Sequence, residues 1–244
     1  MQLDQITWQE VDAYLKVSDG IIIPTGSTEQ HGPMGLIGTD ALCAEHISRL
    51  GGNAANAIVA PTFAYTPAPF NMKFAGTISI SAGLFEMLLV EVLESLMEGG
   101  FAHIYFLNGH GANLLPIQNA ISKMPTLTCK IRSWWEFEPV NLLRQKLYGG
   151  WEGMHATPSE IAITQAIHRI VPSGNALSPP IKLSLDYIRE HSGDRHGPPD
   201  EHRKQFPDGR VGSHSALATP KDGQTLIDTA VDALATDYLE FISS

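Results

Sequence analysis

Glu29-Gln30-His31, then Asp40, and far along the chain Asn108-Gly109-His110-Gly111 place two carboxylates and two imidazoles where apolar runs give way to Gly-rich stretches. Glu29 and His31 are two residues apart, and on an extended segment that spacing points both side chains to one face. Carboxylate oxygen with imidazole nitrogen suits Zn, Mn or Fe better than Mg or Ca. Such a cluster holds metal ions that activate a water, so the chemistry to expect is metal-dependent hydrolysis. The bland alternative for the stretch from Thr25 to Pro33 is an exposed polar loop. Thr39 or Asp40 could simply cap the helix that follows. A carboxylate has two oxygens, so capping and ligation are compatible. The Gly-rich turn around His110 could instead cradle a phosphate at a helix N-terminus. Its spacing fits neither the Walker A nor the dinucleotide fingerprint, and a histidine between two glycines is more simply presented into a pocket.

A third cluster runs from Trp151 to Glu160 and contains Glu152, His155, Thr157 and Ser159. Thr157 or Ser159 caps a helix here, and Glu160 falls in its first turn, where the helix dipole favours a carboxylate whether or not it binds anything. Taken alone, Glu160 is a capping residue and His155 a loop histidine. His46 and His168 lie on helices and His103 starts a strand, so surface or core roles fit them. His191, His196 and His202 lie between Arg189 and Gln205, a stretch rich in Asp, Glu, Arg and Pro. It reads as a mobile, solvated loop, with a lid or a subunit contact as the sharper alternative. Ser27 sits in no Gly-x-Ser-x-Gly elbow, which argues against a serine hydrolase. Cys43, with His46 three residues on, reads as core packing.

The elements that must position these groups alternate along the chain. Helices are predicted over Trp8 to Lys16 with Thr7 as cap, Asp40 to Leu50 ending at Gly51-Gly52, Ser81 to Gly99, Asn113 to Met124, Glu138 to Leu147, Ser159 to Ile170 and Leu226 to Ile242. In the clearest of these, Leu84, Leu88, Val92 and Leu96 recur every four residues. The last carries an apolar stripe through Ile227, Val231, Leu234, Tyr238 and Phe241. Strands are predicted at Ile21 to Pro24, Ala57 to Ala60, Gly76 to Ser81, Ala102 to Leu107 and Thr128 to Trp134. Strands alternating with helices imply a mostly parallel sheet covered on both faces. Ligands bind such sheets outside the carboxyl ends of the strands, where both Glu29 and His110 fall.

Composition narrows the class. The chain has 244 residues, 43% hydrophobic and 17% charged, enough for a single domain over 1–244 with one sizeable core. Its formal charge of −10 leaves no electrostatic footprint for nucleic acid or an anionic membrane. The two cysteines, Cys43 and Cys129, read as buried thiols in a reducing cytoplasm. Met1 to Gln5 has neither the basic nor the apolar region of a signal peptide. Glu86, Glu91 and Glu94 break the most apolar helix and bar it from spanning a membrane.

With these residues in hand, the chain resembles the creatininase (creatinine amidohydrolase) family. The resemblance rests on Pro24 to Pro33, Gly38-Thr39-Asp40, Gly76-Thr77, Asn108 to Asn113, His155 with Glu160, and a closing stretch of Gly209 to Gly212, Ala218-Thr219 and Lys221-Asp222-Gly223. Several separated motifs in the right order, spread over almost the whole chain, make it specific. It implies a three-layer α/β/α sandwich with a mostly parallel central sheet. It also implies two divalent metals (Zn, Mn or Fe), hydrolysis of non-peptide C–N bonds in a small, often cyclic amide, and a homo-oligomer, commonly a hexamer. Carried over by position, Glu29, His31, Asp40 and His110 are metal ligands, with Asp40 the bridge. Creatinine-cleaving members place a ligand glutamate two residues after the motif histidine. This chain has Ala112 there, which moves that duty to Glu160. His155 matches a histidine of proton transfer and, with Glu160, makes up the catalytic pair. Trp151 and Glu152 fall where those members place a substrate-contacting Trp-Asp pair.

Departures surround these positions without removing them. Met34 stands where many members have histidine, Tyr65 to Phe70 replaces a Gly-x-Ser-x-Glu-His stretch, and Thr157 replaces a glycine. They suggest retained metal chemistry and an altered substrate pocket. The expected mechanism has two metals lowering the pKa of a shared water from about 16 toward ~7. His155 then protonates the leaving nitrogen, and backbone N–H groups at Gly111 and Ala112 hold the developing oxyanion. The rivals are a formamide hydrolase or deformylase on an open-chain amide, removal of a terminal residue from a modified peptide, and a non-catalytic protein that binds a metal or small ligand.

Overall fold

The computed structural model describes residues 1–243. The helices and strands follow in the order α1 Trp8–Tyr14, β1 Gly20–Thr25, α2 Thr39–Ala54, β2 Ile58–Val59, α3 Ala82–Glu98, β3 His103–Asn108, α4 Leu114–Ser122, β4 Thr128–Ser133, α5 Glu138–Tyr148, α6 Pro158–Ile167, α7 Leu185–Glu190, α8 Pro199–Gln205 and α9 Pro220–Ile242. The four strands form one parallel sheet in the order β2-β1-β3-β4. Period-two alternation divides their side chains between two cores. Ile22, Tyr105 and Leu107 pack with Ile47, Ile161, Leu226 and Leu234 on one face. Ile21, Ile23, Ile104 and Phe106 pack with Phe85, Leu89, Leu93 and Ile117 on the other. The result is the three-layer α/β/α arrangement expected from the alternating pattern. Thr25, Asn108 and Ser133 are in register at the carboxyl ends of β1, β3 and β4, so the loops that follow converge.

Several boundaries differ from the sequence reading for identifiable reasons. Gly51 and Gly52 do not end α2, which continues to Ala54. They let the helix lie close to its neighbours, since a Cβ at either would run into Leu234 or Val59. No ladder strand forms over Gly76 to Ser81 among the described residues. The segment makes a single antiparallel bridge from Ile78 to Thr28. In α3 the buried stripe is Phe85, Leu89 and Leu93, while Leu84 and Leu88 are exposed. α9 starts six residues before the predicted Leu226, with Thr219 as its cap. The stretch read as a solvated loop contains α8, and α7 runs up to Glu190 at its start. His202 there is buried, and its ring meets those of Phe70 and His196 at 5.1 and 4.9 Å. Cys43 is fully buried core, as expected, and both cysteines are free thiols. Among the described residues no helix is long and apolar enough to cross a membrane.

Candidate metal centre

Three chain segments deliver the cluster, and close backbone packing sets their spacing. β1 runs out into the loop carrying Glu29 and His31, β3 into the loop carrying His110, and the first turn of α2 carries Asp40 between them. This turn touches Gly26 on one side and Gly109 on the other. A Cβ on Gly26 would meet the backbone of Asp40 and Ala41, and one on Gly109 the Asp40 carbonyl. Asn108 and Asn113 tie the loops together. The Asn108 amide donates to the His110 carbonyl at 2.7 Å, and the Asn113 amide to the Gly26 carbonyl at 2.8 Å. Gly26→Ala is therefore expected to cost roughly 1–3 kcal/mol of stability, the usual range for overpacking. It should lower metal retention in the same variant by displacing Asp40. Denaturant unfolding and metal content together check this, and a full loss of stability with normal metal uptake would contradict it.

Glu29, His31, Asp40 and His110, all at most 3% exposed, meet at the bottom of the cleft. Asp40 lies at their middle and its two oxygens face different imidazoles. Oδ1 is 2.8 Å from His31 Nε2, and Oδ2 is 3.0 Å from His110 Nδ1. Glu160 Oε1 lies 3.9 Å from His31 Nε2, and Glu29 Oε1 lies 3.1 Å from His110 Nδ1. Two potential ion positions share Asp40: one among Glu29, Asp40 and His110, the other among His31, Asp40 and Glu160. The outer nitrogen of each imidazole is committed to a backbone carbonyl. His31 Nδ1 meets the Glu29 carbonyl at 3.1 Å, and His110 Nε2 the Pro67 carbonyl at 2.8 Å. A carbonyl can only accept, so those nitrogens carry protons and the inner ones are presented to the cluster, as in histidines that ligate metals. The carboxylates of the cluster are held in turn. Ser27 donates to Asp40 Oδ2 at 2.8 Å and the Asn71 amide to Glu29 Oε2 at 2.7 Å. Glu29 Oε1 is fully buried and has the imidazoles of His110 and His155 at 3.1 and 3.8 Å, a position that a cation can share. This donor set fits a divalent metal.

The electrostatics are those of a cation site. Burial opposes charge on His31, but the Asp40 carboxylate outweighs it and pushes the imidazole up to about 10. Burial likewise opposes charge on His110, and Glu29 and Asp40 hold it well above the ordinary value. Asp40 is held well below the usual carboxylate range, because His31 and His110 overcome its burial. Burial pushes Glu160 up to about 8, with the His31 charge only partly offsetting it. Glu160 has the capping role that the sequence offered, and the same carboxylate reaches the cluster. It completes a capping box with Thr157, whose N–H its Oε1 accepts, and it faces His31.

His155 stands beside the cluster, its ring centroid 4.5 Å from that of His31. Its Nε2 donates to the Gln30 carbonyl at 2.6 Å, leaving Nδ1 3.8 Å from Glu29 Oε1. Burial and the neighbouring His31 lower its pKa, so at neutral pH it is an uncharged base facing the centre.

A cavity of about 180 Å³ opens onto Asp40, His110, His155 and Glu160, and Gly111 lines it. Trp134, Trp135, Met154, Ile188 and Arg144 form its walls. Trp151 and Glu152 are not among the lining residues. Trp151 packs on His214, under the Lys182 ammonium. Glu152 pairs with Arg144 at 2.9 Å and accepts from Ser159. The Ala112 N–H donates to Asp194 Oδ2 at 3.1 Å, which draws it away from an oxyanion role. Asp194 and Asn71 were missed by the sequence reading. Asp194 lies in the stretch set aside as solvated, and Asn71 in a Pro-rich loop with no metal-ligand residue type. The sole available signal was the isolated acid of Gly193-Asp194-Arg195 between histidines.

Comparison with known proteins adds an independent line. The family model described as "Creatininase: Creatinine amidohydrolase" matches residues 4–237. A mycofactocin precursor peptide peptidase of Mycolicibacterium smegmatis is 36% identical over 108 residues, covering 42% of this chain and 43% of that protein. A 3-dehydro-scyllo-inosose hydrolase of Thermotoga maritima is 32% identical over 114 residues, covering 46% of this chain and 37% of that protein. The aligned stretches thus span less than half of these relatives' lengths. A crystal structure of creatinine amidohydrolase superposes with a TM-score of 0.82 at 19% identity, covering 100% of this chain and 98% of that one. Two further creatininase structures, one described as a Mn form and one as a Zn-Zn type of a mutant, superpose at TM-scores of 0.79 and 0.78, each at 19% identity. They cover all of this chain and 99% and 98% of theirs. At that identity the likeness establishes the fold.

Proposed function

The chain belongs to the creatininase family, and on that premise we propose that it is a dinuclear, metal-dependent amidohydrolase acting on a small amide. The observation that carries this reading is Asp40, whose two oxygens face two imidazoles at 2.8 and 3.0 Å. A carboxylate so placed would serve both ion positions. Glu29 and His110 would hold one, His31 and Glu160 the other. Bound there, Zn, Mn or Fe supplies an acidified water and a Lewis acid for the substrate carbonyl.

The chain's own residues do the rest. His155 receives a proton at Nδ1 and returns it to the leaving nitrogen. Glu29, with Asn71 on its outer oxygen, orients the acidic side of the centre. Trp134 and Trp135 exclude water from the cavity. Gly111 leaves room for the substrate amide, next to Ala112. Glu152 acts from behind the wall by holding Arg144 in place, and Trp151 supports the same wall.

A cyclic amide remains the expected substrate. The peptidase among the relatives favours one rival, removal of a terminal residue from a modified peptide, which the cleft beside the cluster could admit. A formamide hydrolase would use the same centre. We further propose a cytoplasmic homo-oligomer, with the exposed Leu84, Met87 and Leu88 of α3 available for burial between subunits.

Calorimetric titration of chelator-stripped protein with Zn and Mn tests the reading. About two ions per chain are expected, together with metal-dependent turnover of cyclic lactams, formamides or peptides. A proton and a metal ion compete for the same His31 nitrogen, which stays protonated up to about 10. Binding should therefore release protons and tighten as pH rises. A chain that takes up no metal at any pH would remove the mechanism and leave the binding-protein alternative.

A further inference from the structure

The segment from Leu185 to Gln205 places one acidic group beside the buried centre. The Asp194 side chain is 11% exposed, and its Oδ2 lies 3.5 Å from His110 Nδ1. That nitrogen is the inner one, because Nε2 is committed to the Pro67 carbonyl. It is also the atom that Glu29 Oε1 and Asp40 Oδ2 face. Asp194 Oδ2 therefore stands at the edge of the first ion position, on the ligand side of the imidazole. The Ala112 N–H holds this oxygen at 3.1 Å, while Oδ1 turns toward His196 Nε2 at 3.8 Å. The fit depends on Gly111, where any Cβ would collide with Asp194 Oδ2. Glu29 Oε1, fully buried, lies 3.1 Å from the same imidazole nitrogen.

Carboxylates from three parts of the chain are brought to one buried imidazole, an arrangement that a cation among them, the imidazolium itself or a metal ion in its place, stabilises. Asp194 is also the one carboxylate of its segment in contact with the cluster. The segment's other ties include an ion pair between the half-exposed Lys73 and the exposed Asp200, the His196 and His202 rings on Phe70, and the Arg203 guanidinium over Phe74. Ile188, Ser192, Gly193 and Asp194 line the cavity from this side.

We propose that Asp194 supplies a further donor to the ion position formed by Glu29, Asp40 and His110, so that metal binding fastens the Leu185–Gln205 segment over the cavity. The proposal rests on the metal-centre reading above. Metal loading and enclosure of the substrate are then linked, the ion strengthening a seat that the Ala112 N–H and His110 already provide.

The test uses wild type, Asp194→Asn, Gly111→Ala and the double variant. Chelator-stripped protein is titrated with Mn²⁺ and with Zn²⁺, and hydrogen exchange across residues 185–205 is followed with and without metal. Asp194→Asn is expected to weaken one of the two binding steps at least about tenfold. Gly111→Ala should do the same by expelling the carboxylate, and the double variant should be little worse than either. Metal should slow exchange over residues 185–205 in wild type and not in the variants. Wild-type affinity and wild-type protection in Asp194→Asn would overturn the proposal while leaving the metal centre standing. A wild-type chain that binds neither metal would overturn the centre itself, and this proposal with it.

Discussion

His110→Ala is expected to lower metal content and abolish turnover together. Its Nδ1 faces Glu29 and Asp40 at 3.1 and 3.0 Å, and no other imidazole reaches that ion position among the described residues. Removing it leaves carboxylates alone around a buried cation, with the orienting hydrogen bond to Pro67 lost as well. Turnover should fall at least about 10³-fold, equivalent to roughly 4 kcal/mol of transition-state stabilisation. Metal per chain should fall by about one ion, measured by elemental analysis after gel filtration. The unpaired Pro67 carbonyl should cost about 1–3 kcal/mol in stability, so the variant is assayed well below its melting temperature. Unchanged activity with unchanged metal would refute the assignment of this histidine to the centre.

His155→Ala is expected to separate chemistry from metal binding. Nε2 of His155 is tied to the Gln30 carbonyl and Nδ1 faces Glu29 Oε1 from 3.8 Å. A proton shuttle placed this way contributes about 10²–10⁴ in rate. Turnover should drop by that factor while both ions stay bound. Burial and the His31 charge depress the His155 pKa below the ordinary imidazole value. Since the uncharged form is the active one, the rate should hold as pH falls through 6.5 and decline only below it. That acid limb should vanish in the variant, and added imidazole should restore part of the rate. Loss of metal along with turnover would instead make His155 a ligand, which its grouping with Glu29 and His31 permits geometrically.

Much of the centre was legible in the residues. Glu29-x-His31 after an apolar run, Asp40 at a helix start and a histidine between glycines are local patterns. A parallel sheet brings strand ends to one edge whatever the details of packing. β1 and β3 are adjacent and in register from Gly20 and His103 to Thr25 and Asn108, so the loops after them had to meet. The helix boundaries were less accessible. Gly51-Gly52 carries the local signature of a helix stop, yet α2 continues because Leu234 and Val59 need the space that two missing side chains leave. Leu84 and Leu88 repeat as a core stripe does, but Phe85 and Leu89 take the buried face.

The sequence by itself determined the layered α/β class, the sheet edge at which the cluster gathers, and the residue types that meet there. Each of these follows from periodicity or from a motif spanning a few residues. Only the tertiary structure decided that Asp40 lies between two imidazoles, that Glu160 caps a helix and faces His31 at once, and that Trp151 packs on His214 while Glu152 pairs with Arg144. It alone brought Asp194 to His110 from a polar, Pro-rich stretch that reads as solvated. The physical reason is range. Hydrophobic periodicity and capping act within a turn or a strand. The burial of a charge is set by groups distant in sequence, and its energetic cost is visible only once they are in contact.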